Sequence, residues 1–368
     1  MFQTKNWALY GLVIGLSLFH VYCKPRELSA SSKCHNSDSP GKCIPITNCA
    51  SALETIKKQR THGLQRCGFE GIVEIVCCPD SEMGLGHNDD DQKKTSIRGG
   101  NLKRKSQQAC EKYVKETPID LAYYIVDGEN AQLGEFPHMV ALGFLGKDDK
   151  VYRFSCGGTL ISPQYILTAA HCLINVHGNE LKIARLGVIN VPELVKNPDP
   201  RIDYNVVDIT VHKQYKWQEK FNDIALVELE KKVAFGDNIR PACLYTKNDD
   251  PKKLVVTGWG AVGLGAERSS ILQKASLHPV PLQECNSTYH TRTQKHIIRD
   301  QICATSNKSD TCQGDSGGPL QIQSMASIST VVGITSYGIG CGSNYPGVYT
   351  RVSGYLDWIE KIVWPGAI

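Results

Sequence analysis

Short apolar runs such as Leu254-Val255-Val256-Thr257 and Val331-Val332-Gly333-Ile334 recur through the C-terminal two thirds of the chain, separated by Gly- and Pro-rich turns. This is the pattern of an antiparallel β-barrel. Leu167-Thr168-Ala169-Ala170 is an apolar run that ends on His171, and Asn222-Asp223 opens the strand-like stretch Ile224-Ala225-Leu226-Val227. Near the end, Tyr355 to Ile362 place apolar residues at helical spacing, which predicts a terminal helix. Upstream, Ile72-Val73-Glu74-Ile75-Val76 alternates as one strand of a small sheet. Residues 79–109 are different: Gly84, Gly86, Asp89-Asp90-Asp91, Lys93, Lys94, Arg98, Lys103, Arg104 and Lys105 leave few apolar groups to bury. That composition predicts a disordered polar tether. Trp7 to Phe19 form an apolar stretch after Lys5, too short for a comfortable membrane span and placed where a secretory signal belongs. The expected cut is Cys23–Lys24, with a retained anchor as the alternative, and no later segment is long enough to span a bilayer.

Composition narrows the picture. The 368 residues suffice for one sizeable domain and smaller pieces, and the net charge of +4 is spread thinly. No basic stripe with interleaved aromatics is present, so nucleic acid is excluded as a partner. Fifteen cysteines in an exported chain imply disulfides, and loss of Cys23 with the signal leaves an even fourteen. Metal binding is the competing use of clustered cysteines; compartment and even count argue against it, and no zinc is expected. Cys34, Cys43, Cys49, Cys67, Cys77 and Cys78 crowd a segment too small for much core, so cross-links must stabilise it.

Gly314-Asp315-Ser316-Gly317-Gly318-Pro319 carries the candidate chemistry. Glycines around a hydroxyl let backbone N–H groups approach a reacting carbonyl closely. A serine needs an adjacent base, itself oriented by a third group. Alone, the motif reads as a turn, His171 as a structural histidine and Asp223 as a strand-end acid. In the order His171, Asp223, Ser316 they resemble the chymotrypsin/trypsin family, over residues Ile125 to the C-terminus. The resemblance implies an all-β fold of two antiparallel barrels with a C-terminal helix, and a Ser-His-Asp endopeptidase in which Gly314 and Ser316 form the oxyanion hole.

The same resemblance implies further roles. Asp310, six residues before Ser316, would floor a pocket walled by Ser336, Gly338 and Gly347, and would select Arg or Lys. Cleavage between Tyr124 and Ile125 would free an α-ammonium to bury against Asp315, with the oxyanion hole and pocket poorly formed beforehand. Tyr124 does not suit a pocket built on Asp310, so the activator should be another protease that accepts aromatic or apolar residues. Asp127 stands where many relatives have glycine. The implied disulfides are Cys156–Cys172, Cys285–Cys303 and Cys312–Cys341. The N-terminal cluster resembles the clip domain of arthropod proteases, nearest the snake- and persephone-like branch, which implies Cys34–Cys77, Cys43–Cys67 and Cys49–Cys78. Cys110–Cys243 would tie the light chain to the protease domain. The expected organisation is signal 1–23, clip domain 34–78, linker and tether 79–124, and protease 125–368.

Asn286 and Asn307 fit glycosylation acceptors. Val188 follows Arg185-Leu186-Gly187 where some relatives place a calcium ligand, and although Asp199 and Asp203 lie nearby, no metal and no cofactor are expected. The leading expectation is a secreted zymogen in an extracellular, haemolymph-like cascade of immunity, melanization or Toll-type signalling. Its partners would be an upstream activator, downstream protein substrates and serpin-type inhibitors. A venom or digestive protease and a non-catalytic clip-domain cofactor stay open as alternatives.

Overall fold

A computed structural model describes residues 32–36, 39–49, 52, 63–70, 73–79, 103–116, 130–147, 149–174, 178–261, 267–306, 315–323, 328–340 and 345–366. The expected signal segment lies outside the described residues, and among these no helix is long and apolar enough to cross a membrane.

The N-terminal module is a four-stranded antiparallel sheet in the order β1-β2-β4-β3, from β1 (Lys33–Asn36), β2 (Ser39–Pro45), β3 (Arg66–Glu70) and β4 (Val73–Pro79). Successive side chains on a strand point to opposite faces. The adjacent Cys77 and Cys78 of β4 therefore bond different partners, Cys34 and Cys49, while Cys43 bonds Cys67.

Two closed barrels follow. The first is formed by β5 (Met139–Gly146), β6 (Tyr152–Leu160), β7 (Tyr165–Thr168), β8 (Asn179–Leu186), β10 (Asp203–Val211) and β11 (Ala225–Leu229). The ring β5-β8-β10-β11-β7-β6 closes by the β5–β6 pairing, and the short β9 (Leu194–Val195) adds to β6. The second barrel, β17-β16-β13-β14-β15-β18, closes through β17–β18. Its strands are β13 (Leu254–Gly258), β14 (Gln273–Val280), β15 (Gln301–Thr305), β16 (Pro319–Gln323), β17 (Ser329–Tyr337) and β18 (Gly347–Arg351). The two-residue β12 (Cys243–Leu244) lies parallel to β17. Eight consecutive residues of β17 are buried, so the run Val331–Ile334 shows no alternation because both faces of the strand are covered.

Among the described residues the longer helices are α1 (Lys105–Glu116), α2 (Leu282–Thr293) and α3 (Leu356–Val363). Helix α3 buries Leu356, Ile359 and Val363, the i, i+3, i+7 stripe of its sequence. Helix α1 corrects one expectation. Residues 103–109, assigned by composition to a disordered tether, are ordered against α3 and the chain's end. Arg104 donates to Asp357 and, at 3.0 Å, to Glu360; Ser106 Oγ donates to Glu360 at 2.6 Å; and Lys105 Nζ donates to the Trp364 carbonyl at 2.7 Å. Arg104, which looks solvated in sequence, is matched here by acids some 250 residues away, and Lys105 by a main-chain carbonyl at a similar distance along the chain. Cys110 on α1 is bonded to Cys243 on β12.

Candidate active site

Three segments from the two barrels meet at their seam. Strand β7 ends at Thr168 and passes into a 3-10 turn, Ala170–Cys172, that presents His171. Asp223 stands two residues before β11, and Ser316 three residues before β16. Asp223 is fully buried and has no solvent to satisfy it. One carboxylate oxygen accepts the His171 backbone N–H at 2.9 Å, the other lies 2.7 Å from His171 Nδ1 and also accepts from Ser336 Oγ, and the Asp223 carbonyl accepts from Thr350 Oγ1 at 2.9 Å. Burial alone would raise the Asp223 pKa, but the bonds from His171 and Ser336 outweigh it and hold the carboxyl below its ordinary value. An ionised Asp223 on Nδ1 fixes that nitrogen as the N–H donor, leaving Nε2 with its lone pair as the base.

Ser316 is anchored through its backbone. Its carbonyl accepts the Gly157 N–H at 2.8 Å, and Gly317 N–H donates to Thr335 at 2.9 Å. Gly317 has φ +78°, and a Cβ there would fall 2.2 Å from Thr168 Oγ1 and 3.2 Å from Cys172 Sγ. The turn carrying Ser316 therefore packs on the Cys156–Cys172 disulfide, whose second cysteine directly follows His171. Glycine at 317 is required twice over, by its backbone angle and by the closeness of its neighbours.

Asp315 points away from this seam into a cradle that sequence reasoning missed. Gly260 N–H donates to its carboxylate at 2.9 Å, and a Cβ on Gly258 would lie 1.9 Å from that oxygen. The signal was the Gly258-Trp259-Gly260 triplet at the end of an apolar strand, but its meaning depends on an acid 55 residues later. His138 was also missed. It is buried beside Gln321, and neither His138 Nε2 nor Gln321 Oε1 makes a hydrogen bond among the described residues. Burial drives the His138 pKa down to about 4, with Gln321 opposing weakly.

Of the pocket residues, Ser336 is buried with its hydroxyl turned to Asp223. Gly347 is buried in β18, and Gly338 is exposed, with nothing within 4 Å of a Cβ placed on it. Asp310, Cys312, Gly314, Asn307, Cys341, Tyr124 and Ile125 lie outside the described residues. Cys285 is bonded to Cys303, and Asn286 Oδ1 accepts from Ile297 N at 2.8 Å. Asp203 is held bidentately by Arg185, at 2.7 and 2.8 Å, and Asp199 accepts from Arg201, so both acids weighed as cation ligands engage guanidiniums. Sulfur and nitrogen atoms converge at Cys34, Cys43 and Cys67 and at Cys156, His171 and Cys172, but those sulfurs are spent in disulfides and supply no thiolate.

Comparison with known proteins bears on this arrangement. Residues 125–359 match the trypsin family. Serine protease Hayan of Drosophila melanogaster is 39% identical over 277 residues, which cover 71% of this chain and 42% of that protein, so the match spans under half of Hayan's length. Serine protease snk of Drosophila melanogaster is 33% identical over 338 residues, 88% of this chain and 76% of that protein. Spaetzle-processing enzyme of Drosophila melanogaster is 30% identical and aligns across 98% of this chain and 99% of its own length.

Proposed function

Because this chain belongs to the trypsin family of serine proteases and joins to it the disulfide-rich module of arthropod clip-domain proteases, we propose that it is an extracellular endopeptidase zymogen. The observation that carries this reading is the buried Asp223 carboxylate on His171 Nδ1, which leaves the Nε2 lone pair, 4.0 Å from the disulfide-bonded Cys172 Sγ, to act as a base. Nε2 takes the proton of Ser316 Oγ as that oxygen attacks the scissile carbonyl, forming the C–O bond and an oxyanion received by the N–H groups of Gly314 and Ser316. The same proton passes to the leaving amine as the C–N bond breaks. Water then repeats the sequence on the acyl-enzyme and restores Ser316.

Activation is assigned to cleavage between Tyr124 and Ile125. The new α-ammonium of Ile125 displaces the Gly260 bond and pairs with Asp315 inside its glycine cradle. A buried ion pair that forms only after cleavage is a natural switch, since neither charge tolerates burial alone. Asp310 would floor the pocket and direct cleavage to Arg or Lys, so that Tyr124 must be cut by a protease of different specificity. The substrates would be proteins of an extracellular cascade, a role for which the printed names of the relatives, including a Spaetzle-processing enzyme and Melanization protease 1, supply the precedent. Serpin-type inhibitors are the fitting regulators.

The test is labelling by a fluorophosphonate. The full chain cut at Tyr124–Ile125 by a chymotrypsin-like protease should be labelled at Ser316, and the uncut chain and Ser316→Ala should not. A cleaved, folded chain that resists the probe would show a non-catalytic module instead. A peptide panel then reads the pocket: preference for aromatic residues at the cleaved bond would rule out the assignment of Asp310.

A further inference from the structure

Two lysines stand over aromatic rings beside Asp223. Lys220 ends the loop that leads to this aspartate; its backbone is left-handed, φ 59°, and is held by a 2.7 Å bond from its N–H to the Lys216 carbonyl. Its Nζ lies 3.8 Å from the centroid of Trp217, a ring 47% exposed, and 3.4 Å from Tyr215 Oη. Lys295 follows α2, and its Nζ lies 5.3 Å from the centroid of Tyr337, the residue after Ser336. Tyr337 is fixed in turn by an edge contact with Tyr289 at 5.7 Å. The pKa of Lys220 is lowered, by burial first and by Lys295 as well, against the pull of Asp223, so the two ammoniums share one field. Among the described residues neither ammonium is ion-paired with a carboxylate, and Glu219, the nearest acid in sequence, is exposed. Two half-buried cations held over rings, with no ion pair among the described residues and only Asp223, already committed to His171 and Ser336, acting on Lys220, can be matched further by an arriving anion.

The main chain beside them has an edge that no described strand pairs. The β16 ladder on β17 ends at Ile334, and the last cross-bonds are Gly317 N–H to Thr335 and Thr335 N–H to Gly318, both 2.9 Å. On the other side β18 continues to Tyr337. Past Thr335, β17 therefore has no β16 partner among the described residues, an edge beside Asp223 to which an extended peptide can add as a strand. A substrate added there with its attacked residue beside Ser336, close to Asp223, would run its preceding residues past Tyr337 toward Gly338, between Lys220 and Lys295.

We propose that Lys220 and Lys295 form a cationic subsite that selects substrates with Asp or Glu among the two to four residues preceding the scissile bond. This rests on the protease reading above and names the substrate feature that reading leaves open. The partner is an acidic peptide segment; the pocket fixes the cleaved residue, and the two lysines fix its sequence context.

The test uses the full chain cleaved at Tyr124–Ile125 and peptides that share the cleaved residue but carry Glu, Gln or Lys at each preceding position. The cleaved wild-type chain should show kcat/KM for Glu over Lys higher by about tenfold at the best position, with the ratio shrinking at high salt. The double variant Lys220→Asn, Lys295→Gln should bring that ratio to about one, Lys295→Glu should invert it, and Lys295→Arg should keep it. Asparagine is used at 220 because it tolerates the left-handed backbone. A flat or Lys-preferring wild-type profile, or a ratio unmoved by the double variant, overturns the subsite. Loss of fluorophosphonate labelling in the cleaved wild-type chain overturns the protease reading and the subsite with it, whereas labelling with a flat profile overturns the subsite alone.

Discussion

In the N-terminal module, one buried cluster consists of Cys34, Cys43, Cys67, Ile75 and Cys77: four of its five members are half-cystines. The first barrel gathers Val140, Leu142, Leu160, Ile166, Leu186, Leu226 and more than a dozen other apolar residues into one cluster, with the Cys156–Cys172 disulfide at its edge. A short segment cannot bury enough apolar area to offset its chain entropy, so covalent links restrain its unfolded state. The barrels have that area, and can in addition bury charges such as Asp223 and the Arg185–Asp203 pair that the module could not shelter. The covalent route yields a small stable surface, and the packed route yields an interior in which a carboxylate can be tuned.

The sharpest way to probe the packed interior is to change one atom in it. Asp223→Asn preserves shape but removes the charge that fixes the His171 tautomer. The fall in kcat should be about 10⁴-fold with little change in KM, measured on the cleaved chain with a small ester or peptide. A loss under tenfold would mean that this buried contact is structural rather than chemical. The converse change in the module is Cys43→Ser with Cys67→Ser, expected to cost about 2–5 kcal/mol there. Amide exchange across residues 63–79 should rise to unprotected rates while hydrolysis of the same small substrate is retained. Coupled loss of both would show that module and barrels do not stand apart energetically.

How far this division could be foreseen depends on the distance between partners in sequence. The barrel strands and α3 were legible because their signal is local: the run Val331–Ile334 lies within β17, and the stripe in Tyr355–Ile362 becomes the buried face of Leu356–Val363. The cysteine-dense module was legible for the same reason. The docking of residues 103–109 was not, because Arg104 and Lys105 look solvated until Glu360 and the Trp364 carbonyl are brought to them. Gly258 and Gly260 likewise need Asp315 before they mean anything, and nothing near Ser336 in sequence says that its hydroxyl turns inward to Asp223. Motifs announced the chemistry, while its supports come from long-range contacts.

His138 extends the comparison to pH. Its folded pKa is about 4, below the ordinary 6.5, so the unfolded chain takes up a proton that the folded chain resists. Stability is then constant above about pH 6.5 and falls as the pH drops toward 4. Between pH 7 and pH 5 the two-barrel unit should lose about 2 kcal/mol, read from urea unfolding, and His138→Phe should flatten that slope. The described buried residues of the module are cysteines, aliphatic residues and a glycine, so its own unfolding should not follow this profile.

The smallest expected effect lies where the two strategies meet, at helix α1. One tie is covalent, Cys110–Cys243, and the other is Glu360, which accepts from Arg104 Nε at 3.0 Å, from Ser106 Oγ at 2.6 Å and from Ser106 N at 3.2 Å. The Glu360 side chain is only 12% exposed, but that of Arg104 is 35% exposed, so solvent screens part of the pair. Edge packing of Tyr113 on Phe235 at 5.5 Å adds apolar contact. Glu360→Ala should therefore cost about 1–2 kcal/mol of docking, roughly a tenfold weaker association. With the disulfide intact that loss is hidden, because the helix cannot leave. In a chain carrying Cys110→Ala and Cys243→Ala and cut at Tyr124–Ile125, the helix-bearing fragment should still co-elute with the protease domain, and Glu360→Ala should shift the concentration at which it dissociates. Dissociation of the double cysteine variant even at high protein concentration would make the disulfide the whole of the attachment, and α1 would then belong with the module rather than the barrels.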